Sequence, residues 1–144
     1  MAAKDKAKIR RIIKETKGHA FLATVDRQQP AMRSIAPILG PGLTIWVATY
    51  ASSRKVRQIR KNPRVALQFT SQPDGHRLVL VLGRARIVRD MAEKKRAWKL
   101  AGYDMFQYWP EGPGAAEYCL LRIVPRRIEW REDWTRTNVY RPGP

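Results

Sequence analysis

Residues 43–69, LTIWVATYASSRKVRQIRKNPRVALQF, carry the strongest structural pattern in the chain. β-branched and aromatic residues at the two ends predict strands over Leu43–Thr49 and Arg64–Thr70, with a short helix between them. Ser52 or Ser53 is a natural N-cap for that helix, because a serine oxygen accepts a hydrogen bond from the unpaired amides of a first turn. An Asn-Pro pair ends the helix before the second strand begins.

The start of this helix carries charges that are unfavourable at a helix N-terminus. Arg54 and Lys55 fall in the first turn, where the helix dipole is already positive, and cations there cost about 0.3–1 kcal/mol each at an exposed helix end. A rule broken in this way often marks a functional site. A phosphate dianion would resolve the conflict, because free amides, a serine hydroxyl and two cations all suit that ligand. The alternative is that two solvated cations tolerate a small penalty.

The composition of the whole chain is globular and strongly basic. Its 144 residues, 44% hydrophobic and 28% charged, predict one domain over 1–144, with an N-terminal helix in 1–17 and a tail over 131–144. The net charge of +17 indicates anionic partners: nucleic acid, a membrane surface or phosphorylated small molecules. Because the cations are spread along the chain and form no recognised nucleic-acid motif, the sequence does not favour nucleic acid as the partner.

Several other site classes lack their sequence signatures. Cys119 is the one cysteine and lies in an apolar run, so a buried thiol in a reducing cytosol is expected. No apolar segment predicts a secretory signal or a membrane span, and we expect a cytoplasmic protein. His19 and His76 are far apart and predict no metal site. No residue is identified as catalytic, since the hydrolase elbow, the phosphate loop and the dinucleotide fingerprint do not occur.

The remaining segments predict mostly strands. A helix is expected over Lys4–Lys17 and another after Asp90, and Gly83 is expected to mark a β-bulge. The first three strands are separated by short turns and predict a meander that begins with a hairpin. Even spacing with short helical interruptions predicts a small closed antiparallel barrel. The six predicted strands are 20–25, 31–39, 43–49, 64–70, 77–89 and 118–130.

In this order, the segments resemble the pyridoxamine 5′-phosphate oxidase-like FMN-binding split-barrel family, and within it the general-stress-protein-26-like group. The resemblance runs from Gly18 to Trp130 and rests on GHAFLATVD, PAMRSIAPI, IWVATYASSRKVRQIRKNPRVALQF, LVLVLGRARIV, YWPEGP and IVPRRIEW. It implies a β-dominated fold, a six-stranded antiparallel split β-barrel with short peripheral helices. It also implies a homodimer with one FMN at each end of the subunit interface.

The resemblance also implies a set of cofactor-binding residues. In relatives, the flavin phosphate is held by an arginine of the second strand and by a Ser-Arg-Lys run at the helix start, while the flavin edge follows the second and third strands. This agrees with the phosphate site inferred from the helix start alone. Trp109 lies in a loop, from which it could cover the flavin of the partner subunit. The implied residues are Arg33, Ser34, Ile35, Ala36, Thr49, Ser53, Arg54, Lys55 and Trp109.

Departures from the family pattern concern the substrate. Relatives that oxidise pyridoxamine phosphate have a lysine where this chain has Ile38 and a flavin-contacting glutamine where it has Leu78, and their late Arg-x-His pair has no counterpart in 132–138. The resemblance therefore implies an FMN-dependent oxidoreductase with a small, unidentified substrate, other than the vitamin B6 oxidase. Two alternatives stay open: an F420-dependent reductase of the same fold, and a non-enzymatic flavin- or haem-binding sensor or carrier.

Overall fold

The computed structural model describes residues 2–16, 18–71 and 74–143. No helix in these ranges is both long and apolar enough to cross a membrane. A short 3-10 turn, Met105–Gln107, follows the last helix. The elements in chain order are α1 (Ala2–Glu15), β1 (Ala20–Asp26), β2 (Gln29–Ile35), β3 (Ile38–Leu39), β4 (Ile45–Tyr50), α2 (Arg54–Lys61), β5 (Arg64–Thr70), β6 (Leu78–Ile87), α3 (Met91–Leu100), β7 (Tyr118–Arg131) and β8 (Asn138–Tyr140).

All the strands belong to one antiparallel sheet in the order β2-β1-β5-β6-β7-β4-β3, with β8 paired to β7. β2 and β3 lie at opposite ends of this order, yet only Ala36 and Pro37 separate them in the chain. The sheet must therefore curl until its two end strands approach each other. Because the described strands form no ladder between β2 and β3, the result is a split barrel and not the closed barrel that strand spacing alone predicted.

The predicted strand count was wrong by two. The strand expected over 31–39 is divided at Ala36-Pro37, since proline has no amide to donate to a ladder. The second addition, β8, is only three residues long and lies in the tail over 131–144, where no strand was predicted. The hairpin of β1 and β2 is confirmed. The predicted meander is confirmed only in part, because the second predicted strand pairs with the third through the short β3 alone, and β4 does not pair with β2.

Two hydrophobic cores lie on the two faces of this sheet. The first fills the barrel and includes the apolar faces of α1 and α2, among them Ile9, Ile12, Val56 and Ile59. The second packs α3 and the loop after it against the outer face of β4 and β7. All four residues of the segment 118–121 are buried as a result, since alternate side chains enter different cores. Cys119 belongs to the first core, which confirms its predicted burial.

The predicted bulge at Gly83 is confirmed. The register between β6 and β7 shifts between Leu82 and Gly83, so the two strands pair differently on either side of this point. A side chain at Gly83 would collide with the carbonyl oxygen of Val124. Glycine is therefore needed for the backbones to approach each other, and the bulge lets the long strands bend around the barrel.

Candidate functional site

The N-terminus of α2 is capped by Ser53. The Ser53 hydroxyl oxygen accepts a hydrogen bond from the Val56 amide at 3.4 Å, whereas Ser52 bonds the Glu117 carboxylate through both its amide and its hydroxyl, each at 3.0 Å. The amides of Arg54 and Lys55 have no acceptor within the helix, as in any first turn. The first turn contains no acidic residue. This helix end therefore offers donors and positive charge, and the Glu117 carboxylate beside it is held by Ser52, outside the first turn.

The side chain of Lys55 turns back toward the end of β4. Its Nζ donates a hydrogen bond to Thr49 Oγ1 at 2.8 Å, and that oxygen lies 3.4 Å from Ser53 Oγ. Thr49 is 6% exposed, so this contact fixes the Lys55 ammonium against the barrel. The structure thus brings Thr49, Ser53 and Lys55 together.

Arg33 approaches the same helix from β2. Its Nη1 donates to Thr24 Oγ1 at 2.8 Å and to the Leu22 carbonyl at 3.2 Å, and its Nη2 donates to Gln58 Oε1 at 3.0 Å. Thr24 also donates to Gln58 Oε1, at 2.6 Å. Gln58 of α2 therefore joins β1 and β2 to the helix and positions the Arg33 guanidinium.

Sequence reasoning missed Gln58 and Thr24. Gln58 is 5% exposed, but in the sequence it is a polar residue beside an apolar helical stripe, which is the usual place for a solvated side chain. Thr24 is an ordinary residue of a half-buried strand. Neither position carries a sequence signal that distinguishes it from many others.

The electrostatics of the site are those of crowded cations. Burial lowers the pKa of the Lys55 ammonium, and the nearby charge of Arg33 lowers that pKa further. Burial also lowers the pKa of the Arg33 guanidinium, with a second contribution from Arg54. In the part of the chain that the structure describes, no ion pair includes Arg33, Arg54 or Lys55. A bound dianion would favour the charged forms of both side chains and so offset the effects of burial and mutual repulsion on their pKa values.

The other residues predicted on β2 lie along a barrel edge. Ser34 is exposed and, as the neighbour of Arg33 in a strand, directs its side chain to the opposite face. Ile35 packs partly against the first core. Ala36 is exposed, and its carbonyl accepts a hydrogen bond from the Tyr103 hydroxyl at 3.3 Å. The flavin contact expected for these three residues stays a prediction.

Trp109 lies apart from the other predicted residues. It is 4% exposed in the second core, with its ring centre 5.2 Å from that of Tyr50 and 5.1 Å from that of Tyr118. Its indole nitrogen has no hydrogen-bond partner among the residues that the structure describes. Little of this ring is free to cover a flavin, so the contact expected for Trp109 stays a prediction, and packing is the role that the structure gives it.

Comparison with known proteins identifies the family. A family model described as pyridoxamine 5′-phosphate oxidase matches residues 6–131, and the chain belongs to this family. It is a homologue of general stress protein 26 of Bacillus subtilis (strain 168), with 28% identity over 120 residues that cover 82% of each protein. The resemblance inferred from the sequence is confirmed at both levels.

Solved structures support the same assignment. General stress protein 26 from Bacillus anthracis str. Sterne matches with a TM-score of 0.78 and 25% identity, covering 95% of this chain and 98% of that one. A protein from Clostridium acetobutylicum related to general stress protein 26 matches with a TM-score of 0.79 and 17% identity, covering 98% of this chain and 96% of that one. The second likeness shows the fold alone, the split barrel of this family.

Proposed function

We propose that this chain is a cytoplasmic, homodimeric FMN-binding flavoprotein that transfers hydride or electrons to a small substrate. The observation that carries the proposal is the convergence of Arg33, Lys55 and the first turn of α2 on one unneutralised positive site. Membership of a family that typically binds FMN supports the same ligand.

The residues at the site fit a flavin phosphate. The free first-turn amides and the hydroxyls of Thr49 and Ser53 supply uncharged hydrogen-bond donors, and Arg33 and Lys55 supply charged ones. A phosphate dianion there neutralises cations that burial and mutual repulsion otherwise disfavour. FMN supplies the redox chemistry when bound, while the protein binds and orients it. The exposed backbone of 34–36 is the edge we assign to the flavin ring.

An uncovered apolar face supports the dimer. The outer face of β2, β1, β5 and β6 exposes 40% of Phe21 and 70% of Met32. These two side chains, with Ala23, Ala66 and Leu80 among others, line a depression of about 280 Å³. The outer face of β4 and β7 is covered by α3, but no described element covers this one. Exposed apolar faces of this kind mark interaction sites.

We assign a second copy of the chain to this face. β2 is an end strand of the sheet and carries Met32 on the apolar face and Arg33 on the opposite one, so the proposed dimer interface and the proposed phosphate site share this one strand. Paired identical faces are the usual way in which a soluble protein forms a dimer.

The proposal is tested by FMN titration of an Arg33→Ala/Lys55→Ala variant. We expect at least tenfold weaker affinity, because each charge-assisted contact contributes about 1.5–3 kcal/mol. Arg57→Ala/Lys61→Ala is the matched control, since it removes the same charge from exposed positions of the same helix and should leave affinity within about twofold. Equal affinity of the first variant and the wild type would refute the site.

An F420-dependent reductase is the second candidate. The net charge of +17 favours it, because F420 carries more negative charge than FMN. The absorbance spectrum and mass of the small molecule that co-purifies separate the two cofactors. Steady-state turnover with NAD(P)H and a panel of acceptors separates an oxidoreductase from a flavin or haem carrier.

A further inference from the structure

A second basic site lies at the Gly83 bulge, where α2 ends and β5 begins, at the far end of the helix from Ser53. A cleft of about 440 Å³ opens there between β5, β6, β7 and the residue after β8. None of the described residues that line it carries a carboxylate. The charged residues that line it are Arg64, Arg84, Arg126, Arg127 and Arg141.

The bulge itself assembles this cluster. Leu82 pairs with Arg127 and Gly83 pairs with Pro125, which leaves Arg126 as the extra residue of β7. In a regular strand, consecutive side chains point to opposite faces. The extra residue changes that alternation, so Arg126 and Arg127 line the same cleft. The tight backbone approach that only glycine permits at position 83 therefore has a second consequence, the placement of two adjacent arginines.

The arginines of the cleft are poorly compensated. Arg64 and Arg84 are directly opposite each other across β5 and β6, an arrangement of like charges that destabilises a sheet. Arg127 Nε lies 3.0 Å from a carboxylate oxygen of Glu129, which is half-buried beside the cleft. Among the ion pairs of the described residues, none includes Arg64, Arg84, Arg126 or Arg141. These four exposed arginines thus line one cleft with no ion pair to a described carboxylate.

We propose that this cleft binds the phosphate chain of a compact anion with two or more adjacent phosphate groups. Guanidinium groups bind phosphate oxygens in pairs, and several of them around one cleft suit several phosphates in sequence. The arginines converge from three strands and the tail, which fits a small ligand better than an extended polymer. Free polyphosphate and a nucleoside triphosphate both supply this chemistry.

Calorimetric titration of the full chain with inorganic tripolyphosphate tests the proposal. Arg84→Gln/Arg126→Gln is the cleft variant, and Lys95→Gln/Lys99→Gln is the control that removes the same charge from exposed positions on α3. We expect at least tenfold weaker binding in the cleft variant and less than about threefold in the control. Because the site proposed for FMN also attracts phosphate, the titration is repeated in the Arg33→Ala/Lys55→Ala background, where Arg84→Gln/Arg126→Gln should cause the same tenfold loss and so separate the two sites.

Titration with other phosphate compounds shows which part of a ligand the arginine cleft binds. Orthophosphate should bind at least tenfold more weakly than tripolyphosphate, and tripolyphosphate should raise the melting temperature of the wild type but not of the cleft variant. Equal affinity for tripolyphosphate and ATP assigns the site to the phosphate chain alone, and tighter binding of ATP assigns it to a nucleotide. Equal losses in the cleft and control variants, or tighter binding of a short oligonucleotide than of either ligand, would overturn the proposal.

Discussion

Gln58 Oε1 accepts a hydrogen bond from Arg33 Nη2 at 3.0 Å, and this contact joins α2 to β2, the strand at one end of the sheet. The same oxygen accepts from Thr24 at 2.6 Å. The Arg33 guanidinium is therefore oriented before any ligand arrives. Such preorganisation reduces the entropy lost on binding, so residues that never touch the ligand contribute to affinity.

Gln58→Leu removes this acceptor while keeping a similar volume. It leaves the Thr24 hydroxyl and one arm of Arg33 without their partner, so we expect the free energy of unfolding to fall by about 1–3 kcal/mol. FMN affinity should fall as well, because Arg33 loses its orientation. Urea unfolding and FMN titration measure the two effects, with Gln107→Leu, an exposed glutamine, as the control. Unchanged affinity would show that Gln58 does not position Arg33.

If FMN binds at the proposed site, Lys55 should make its affinity depend on pH. Its pKa lies below the ordinary 10.5, mainly because of burial, and a bound phosphate favours the charged amine. Affinity should be full below this lowered pKa and fall as the pH rises through it. The stability of the ligand-free protein should change with pH in the opposite direction. Between the lowered pKa of folded Lys55 and 10.5, the unfolded chain binds more protons than the folded one, so the free energy of unfolding rises with pH.

The measurement is FMN affinity between about pH 7 and pH 10, compared with Lys55→Arg. The arginine keeps its charge throughout, so its profile reports titration of the ligand alone. The difference between the wild-type profile and the Lys55→Arg profile gives the contribution of Lys55 titration to FMN affinity. Identical profiles for the two proteins would mean that the Lys55 ammonium does not contact the phosphate.

Glu93 anchors α3 to the outer face of the sheet. This residue is 6% exposed, and its carboxylate accepts hydrogen bonds from Trp46 Nε1 at 2.8 Å and Arg122 Nη1 at 3.2 Å. Glu93→Ala leaves the buried indole N–H without an acceptor and should lower the free energy of unfolding by about 2–4 kcal/mol. Glu93→Gln retains an acceptor and should cost less.

Urea unfolding checks this order. Glu132→Gln is the comparison, because the Glu132 ion pairs with Lys8 and Arg11 are exposed and should contribute less than about 1 kcal/mol. If Glu93→Ala were no more harmful than Glu132→Gln, the second core would not depend on this carboxylate.

Met32→Lys tests the proposed dimer. Met32 is 70% exposed on the apolar face, so a lysine there should be harmless to the folded subunit but should oppose its burial against a second copy. We expect the variant to sediment as a monomer and to bind FMN more weakly, since each site then lacks its partner subunit. Val139→Lys, at a 40% exposed position on β8, should leave both properties unchanged. A wild-type protein that sediments as a monomer would contradict the proposed assembly.

The sequence by itself determined the features that depend on neighbouring residues. The strand–helix–strand unit, the serine cap of α2, the bulge at Gly83 and the burial of Cys119 all follow from local propensity, capping and patterning. The two cations in the first turn of α2, Arg54 and Lys55, could be recognised from the sequence for the same reason. Family resemblance added Arg33, which no local rule connects to the helix.

Only the tertiary structure decided which of these helices and strands are in contact with one another. Strand order brings Arg33 and Gln58 together, and the split of one expected strand at Pro37 places its two halves at opposite ends of the sheet. The arginine cleft depends on bulge register and on a tail strand too short to predict. The physical reason is that such contacts join residues distant in sequence, so their energy depends on strand pairing and curvature, which no single segment encodes.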